Sequence, residues 1–381
     1  GGLANYGINF NNSAAAPNNG AIQISAQAGA ITLTGTGGNG GGSSINDGVK
    51  LEGTSGSNLV TSTSGAISIS GYRTDGSSNA LTVNSNSTIG GASTTANITL
   101  AGDAMSLAGT IRSSGALTVR PATSGETIGI AGGSGTLQLS ATHFASVFTN
   151  GFSGITIGDS TTGAITVSGA TTFSDPVHLT TGSGVTGSGD IVSADGVTIT
   201  QTGNSTYGGV LSGAGGLSKA GSGVFTISGT NTYTGATTVS AGGLSTSGAD
   251  RISNSSALSV ASGATLTLGG AETVGSLAGA GNVVTGGYTL TAGGDNTTTL
   301  FSGVISGAGG MTKTGSGTLT LSGTNTYTGG VTVASGTLVA GGANAFASSN
   351  SLTVNGGTFD LNGINETFES LSGTGGTVTN N

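Results

Sequence analysis

Gly209-Val-Leu-Ser-Gly-Ala-Gly-Gly-Leu-Ser-Lys219 returns 94 positions later as Gly303-Val-Ile-Ser-Gly-Ala-Gly-Gly-Met-Thr-Lys313. Each copy runs on, into Ser228-Gly-Thr-Asn-Thr-Tyr-Thr-Gly235 and Ser322-Gly-Thr-Asn-Thr-Tyr-Thr-Gly329. The match thins but persists: Leu258-Ser-Val260 answers to Leu352-Thr-Val354, and Ser276-Leu277 to Ser370-Leu371. A repeated unit buries its apolar face against its neighbour, so such a chain grows along one axis. This points away from a pocketed enzyme and toward an elongated rod.

The local pattern around these copies is a short alternating run led by a small residue. Gly29-Ala-Ile-Thr-Leu33, Gly65-Ala-Ile-Ser-Ile69, Gly115-Ala-Leu-Thr-Val119, Gly163-Ala-Ile-Thr-Val167, Gly223-Val-Phe-Thr-Ile227 and Gly317-Thr-Leu-Thr-Leu321 all show it. Apolar, hydroxyl, apolar is the period-two mark of a half-buried strand, and Gly, Asn or Ser punctuates both ends. Helix signals are nearly absent, because each of the frequent glycines would cost a helix about 1 kcal/mol. Ala141-Thr-His-Phe-Ala-Ser-Val-Phe148 is the best helical candidate, with a single turn or a strand as alternatives. Pro17, Pro121 and Pro176 fall at segment edges, where a missing N–H does no harm.

Many short strands admit a sandwich or a parallel solenoid. Two-residue hairpin dipeptides rarely separate the runs, and the runs recur at multiples of roughly ten residues, as the short sides of a coil would. The 94-residue spacing divides into about four coils of roughly 23 residues. The expected fold is therefore all-β: a parallel β-solenoid of roughly 16 to 18 coils, about 80 Å long at 4.8 Å per coil. Each inward Ile, Val or Leu contributes roughly 1.5–3 kcal/mol of burial.

Composition narrows the function. The chain has 381 residues, 78 glycines, no cysteine and 6% charged residues, against about 25% charged in ordinary globular proteins. A formal charge of −8 and a mean hydropathy of +0.18 oppose disorder, since disordered chains are charged and poor in apolar residues. The seven cations, Lys50, Arg73, Arg112, Arg120, Lys219, Arg251 and Lys313, are scattered, which excludes nucleic acid as a partner. No apolar run is long enough to span a bilayer as a helix, so no membrane insertion is expected. Gly1-Gly-Leu-Ala-Asn5 is not a signal peptide, and the absence of an initiating Met suggests a piece of something longer.

The residues from 317 to 338, Gly-Thr-Leu-Thr-Leu-Ser-Gly-Thr-Asn-Thr-Tyr-Thr-Gly-Gly-Val-Thr-Val-Ala-Ser-Gly-Thr-Leu, resemble the autotransporter-associated β-strand repeat. The copy at Gly223 departs from it with Phe225, and with Gly242-Gly-Leu244 for Gly-Thr-Leu. Gly357-Thr-Phe-Asp-Leu-Asn-Gly363 fits the same family, so the resemblance covers 205–381. Residues 1–204 are similar to filamentous-haemagglutinin-like repeats, carried by Gly29–Gly35, Ser64–Gly71, and Ile155–Gly158 leading to Gly163–Val167 and Asp175-Pro-Val177. The two form a continuous pair of domains, 1–204 and 205–381. These families imply a right-handed parallel β-helix, secreted to the cell surface, outside a Gram-negative outer membrane. They imply a structural fibre or adhesin: self-association end to end or laterally, and a host or surface glycan or protein as a possible partner.

Catalytic chemistry is sparse, and the chain is read as no enzyme. The densest acidic group is Asp159, Asp175, Asp190 and Asp195 with His178; a glycosidase would need two carboxylates about 5–9.5 Å apart. Asp in such loops is more simply a turn residue. His143 and His178 are the only histidines and Cys is absent, so no metal site is expected. Gly293-Gly-Asp-Asn-Thr297 reads as a turn, and Gly37-Gly-Asn-Gly-Gly-Gly42 as a bulging loop without the ending of a phosphate loop. The repeated Asn231-Thr-Tyr233 and Asn325-Thr-Tyr327 read as a corner, with Asn satisfying loop backbone and Tyr packing over a coil edge. A polysaccharide- or protein-contacting tyrosine is the alternative. Glu366 and Glu369 flank Phe368 and are expected to shield a side or a junction. The expected sites are therefore none: no catalytic, cofactor-binding or metal-binding residue.

Overall fold

A computed structural model describes residues 8–12, 22–38, 47–53, 58–74, 78–149 and 151–381. Pro17, Gly1–Asn5 and most of the Gly37–Gly42 loop lie outside them. The chain forms two compact units, Gly1–Asp195 and Gly196–Asn381. Each is a parallel β-solenoid, and together they contain about 15 turns, near the expected number.

The first unit stacks three faces. On one, Ile31–Thr36, Ile67–Tyr72, Ile98–Ala101, Ala116–Arg120, Gly154–Gly158 and Val177–Thr181 pair in parallel. On the others, Gln23–Ala26 leads to Thr110–Arg112, and Ile8–Asn12 to Met105–Leu107. The period-two runs explain the core. Ile67, Ile98, Leu117, Ile155 and Val177 form one buried file, and Ile69, Leu100, Val119, Ile157 and Leu179 a second. The hydroxyl residues between them face outward. The Ala141–Phe148 stretch is a short π-helical turn, His143–Val147, whose Phe144 packs on Phe148 and Phe173. Pro121 follows the strand Ala116–Arg120 and Pro176 precedes Val177–Thr181.

The second unit repeats the plan with a shorter coil. Leu217, Thr237, Leu258 and Leu277 stack in register, 20, 21 and 19 positions apart. The expected 23-residue coil is thus too long, because three-residue sides and tight Gly/Ser corners close a turn in about 20 residues. The 94-residue repeat consequently spans four coils and two of three faces. Leu217–Ala220 lies on the face that continues through Thr237–Val239, Ala257–Val260 and Ser276–Gly279 to Thr299–Phe301 and Thr318–Leu321. Its counterpart Met311–Lys313 lies on the face of Glu272–Val274, Leu290–Ala292 and Val331–Val333. The second copy is therefore turned by one face relative to the first.

Candidate functional site

Residues 228–236 and 247–256 in the first copy, and 322–330 and 341–350 in the second, run outside strands. Side chains carry part of the ladder there. Asn231 Oδ1 accepts the Leu211 N–H at 2.7 Å, while its Nδ2 donates to the Arg251 carbonyl at 2.6 Å. Asn325 does the same between Ile305 N–H at 2.7 Å and the Ala345 carbonyl at 2.6 Å. A carboxamide has the donor and acceptor of a peptide group, so one buried Asn joins the coil below to the coil above. The next coil completes the stitch with a carboxylate. Glu272 accepts from Arg251 N–H at 3.0 Å and Ile252 N–H at 3.1 Å, and Glu366 accepts from Ala345 N–H at 2.9 Å. Burial pushes the carboxyls of Glu272 and Glu366 above their ordinary value, although these N–H donors work against the shift.

The tyrosines point inward rather than over an edge: Tyr233 is 2% exposed and Tyr327 0%. In the first copy the Tyr233 hydroxyl meets Thr237 Oγ1 at 2.6 Å, Thr237 meets Ser256 Oγ at 2.8 Å, and Ser256 donates to the Gly235 carbonyl at 2.9 Å. Burial raises Tyr233 to about 12, with hydrogen bonding opposing it. In the second copy Val331 stands for Thr237 and Asn350 for Ser256. There the Tyr327 hydroxyl and the Asn350 amide share the interior without a hydrogen bond of good geometry. Burial raises the Tyr327 pKa as well.

Lys219 and Lys313 are fully buried. Lys219 Nζ donates to the carbonyls of Ala220 at 2.6 Å, Gly221 at 2.9 Å and Ala241 at 3.4 Å. Lys313 Nζ donates to Thr314, to Gly315 at 3.0 Å and to Ser335 at 3.4 Å. Gly221 at φ +74° and Gly315 at φ +67° supply the left-handed corner beside each ammonium. Burial lowers Lys219 to about 8 and lowers Lys313 too, the latter against the pull of Asp295.

The residues singled out from sequence are placed as follows. Asp159 accepts from the Thr161 N–H at 2.8 Å and from the Thr161 and Thr162 hydroxyls, with Arg120 3.5 Å away. Its partial burial opposes ionisation, but these donors and Arg120 hold its carboxyl below the ordinary range. Asp175 is buried and accepts from Gly151 N–H at 3.0 Å. Asp190 and Asp195 are exposed, and His178 sits outward in register with Thr156. His143 Nδ1 accepts from Ser140 N–H at 3.1 Å. Among the described residues no group of three or more His, Cys, Asp or Glu could hold a metal ion. Asp295 closes the Gly293–Thr297 turn through Thr297 N–H at 2.9 Å. Phe368 packs tilted against Phe346 and edge-on against Phe359, and Glu369 is exposed. Sequence reasoning missed Glu272 and the buried role of the two lysines. The signal was present: both Glu272/Glu366 and Lys219/Lys313 recur at the 94-residue spacing.

Residues 217–245 and 311–340 each match the family model of the passenger-associated transport repeat. Both segments run from the buried lysine's strand through the bridging Asn to the next strand on the neighbouring face. With the parallel solenoid, they fit an autotransporter passenger domain, a class of secreted or cell-surface protein. No curated protein and no solved structure matches the chain. Among the described residues no helix is long and apolar enough to cross a membrane.

Proposed function

We propose that the chain is a non-enzymatic structural segment of a secreted surface fibre or adhesin, displayed outside an outer membrane, whose copies associate end to end or side by side. The observation that supports it is where the buried polar groups go. Asn231, Asn325, Glu272, Glu366, Lys219 and Lys313 all bond main-chain atoms, mostly of an adjoining coil. A reaction centre instead holds titratable groups ready for a substrate. Asp159 likewise serves its own loop, and Asp175 the loop of the adjoining coil at Gly151. Self-association follows from parallel pairing, since an unpaired strand edge recruits another.

Electron microscopy of the purified protein tests the assembly, with fibres expected; discrete particles at every concentration would remove that part. Incubation with polysaccharides tests the rest. No new reducing ends are expected, and their appearance would overturn the non-enzymatic reading.

A further inference from the structure

The same cleft occurs twice on the outer surface of the second unit. In the first copy Thr230, Asn231, Thr232, Asp250, Ser253 and Asn254 line a groove of about 520 Å³. In the second, their counterparts Thr324, Asn325, Thr326, Asn344, Ala347 and Ser348 line one of about 400 Å³, which Phe346 and the 365–367 segment with Glu366 also wall. The backbone is the same in both: Asp250 and Asn344 are each left-handed, at φ +52° and +59°. The floor is also the same, since Asn231 and Asn325 fix the loop above through the carbonyls of Arg251 and Ala345.

The outward and inward groups of this site behave differently. The inward Asn and Glu are fully committed to backbone. The exposed side chains of Thr232, Asn254, Thr326 and Ser348 make no hydrogen bond to the protein among the described residues. The first groove thus offers the Thr232 hydroxyl and the Asn254 carboxamide beside the acid Asp250, and the second the Thr326 and Ser348 hydroxyls beside Glu366; the hydroxyls and the carboxamide both donate and accept. No Lys lines either groove, the Arg251 guanidinium beside the first is bonded to Thr230 Oγ1 at 2.5 Å, and the acids Asp250 in the first groove and Glu366 in the second disfavour a phosphate or sulfate. The first is lined by polar residues throughout, which excludes an acyl chain or an aromatic ligand. Strand addition by a peptide would need free main-chain groups, but the N–H groups of Thr232 and Thr234 already bond Leu211 and Gly213, and those of Thr326 and Thr328 bond Ile305 and Gly307. A neutral polyhydroxyl ligand satisfies what remains.

We propose that these grooves are two saccharide-binding sites, one per 94-residue copy. Because the copies are turned by one face, one straight glycan does not lie in both, and the two sites fill independently. The inference adds a binding activity to the scaffold and stands whether or not the chain forms fibres.

Isothermal titration of the intact protein with cellohexaose, xylohexaose, maltohexaose and chitohexaose tests it. At least one is expected to bind with two sites per chain. Thr232→Val and Thr326→Val should each halve the stoichiometry without changing affinity at the surviving site, and the double variant should lose binding. Both positions are exposed, so unchanged far-UV circular dichroism and melting will accompany the loss. No heat with any of the four sugars in the wild type would overturn the proposal. So would binding that survives both substitutions, or retention of an extended Ser/Thr peptide in place of the sugars.

Discussion

Lys219 stands in register with Val239, one coil away, at a position that Val260 fills in the coil after that. A cation thus occupies an aliphatic file, and Lys313 repeats the substitution beneath Val333. Burying an ammonium is tolerable only when its protons are received. The three carbonyls at each corner receive them, two from the lysine's own turn and one from the next coil.

The lysine gives a pH signature. Burial brings Lys219 down to about 8 from 10.5, so the unfolded chain holds more protons between these values. Stability therefore rises with pH across that window. Tyr233 and Tyr327 act oppositely above their ordinary value of 10.0, because their raised pKa values keep the folded state protonated longer. Between pH 8 and 10, wild type should gain stability relative to Lys219→Met. Denaturant midpoints for both proteins across this range provide the check, and parallel slopes would refute it.

Removing a bridging asparagine should open two buried backbone groups. Asn231→Ala leaves the Leu211 N–H and the Arg251 carbonyl without partners. At roughly 1–3 kcal/mol for each unmet group, the loss is about 2–6 kcal/mol. In a solenoid each coil contacts only its neighbours, so the damage should stay local. Amide exchange should quicken at Leu211 and Thr232 while Leu319, on a distant coil, keeps its protection. Uniform acceleration would show that the bridge is not the local fastener described here.

The strands were legible because their signal is local. Gly115-Ala-Leu-Thr-Val119 predicts the strand Ala116–Arg120, and Gly223-Val-Phe-Thr-Ile227 predicts Val224–Ile227. The faces were not legible, because a face depends on coil length summed over several corners. A three-residue error per coil, 23 against 20, hides the one-face turn between copies. The Asn of Asn-Thr-Tyr serves backbone, as the sequence predicts, whereas Tyr233 and Tyr327 lie inside instead of at an edge. Their direction follows from the Thr230, Thr232, Thr234 alternation, which continues the period of two outside any strand. Glu272 escaped notice because an isolated acid in a Gly-rich chain reads as surface; only its spacing to Glu366 marks it.

Acid should not weaken the fold until it is strong. Burial raises the pKa of Glu272 and Glu366 above 4.5. A carboxyl raised on folding holds more protons folded than unfolded, so stability falls as pH rises through that window and returns on acidification. Asp159 and Asp295 are held below 3.8, by donors that outweigh partial burial, and contribute stability that is lost only as pH falls through their folded values. The melting temperature should hold or rise from neutrality to pH 4.5 and decline below 3.8. Glu272→Gln should flatten the upper part of this profile. A steady fall from neutrality downward would contradict the burial of these two acids.

The two copies also supply an internal control for buried hydroxyl chemistry. Thr237 bridges Tyr233 to Ser256 in the first copy, whereas Val331 cannot bridge in the second, and the longer Asn350 fills the place of Ser256. Thr237→Val alone should strand the Tyr233 hydroxyl and cost about 1–3 kcal/mol. Ser256→Asn alone should crowd a core that already contains Thr237, at about 1–3 kcal/mol. Together they recreate the second copy's combination, so the double variant should lose less than the sum. A favourable coupling of about 0.5–3 kcal/mol is expected from contacting positions. Urea unfolding of the four proteins measures it directly. Strict additivity would mean that Asn350 does not compensate for the missing hydroxyl, and that Tyr327 is held by packing alone.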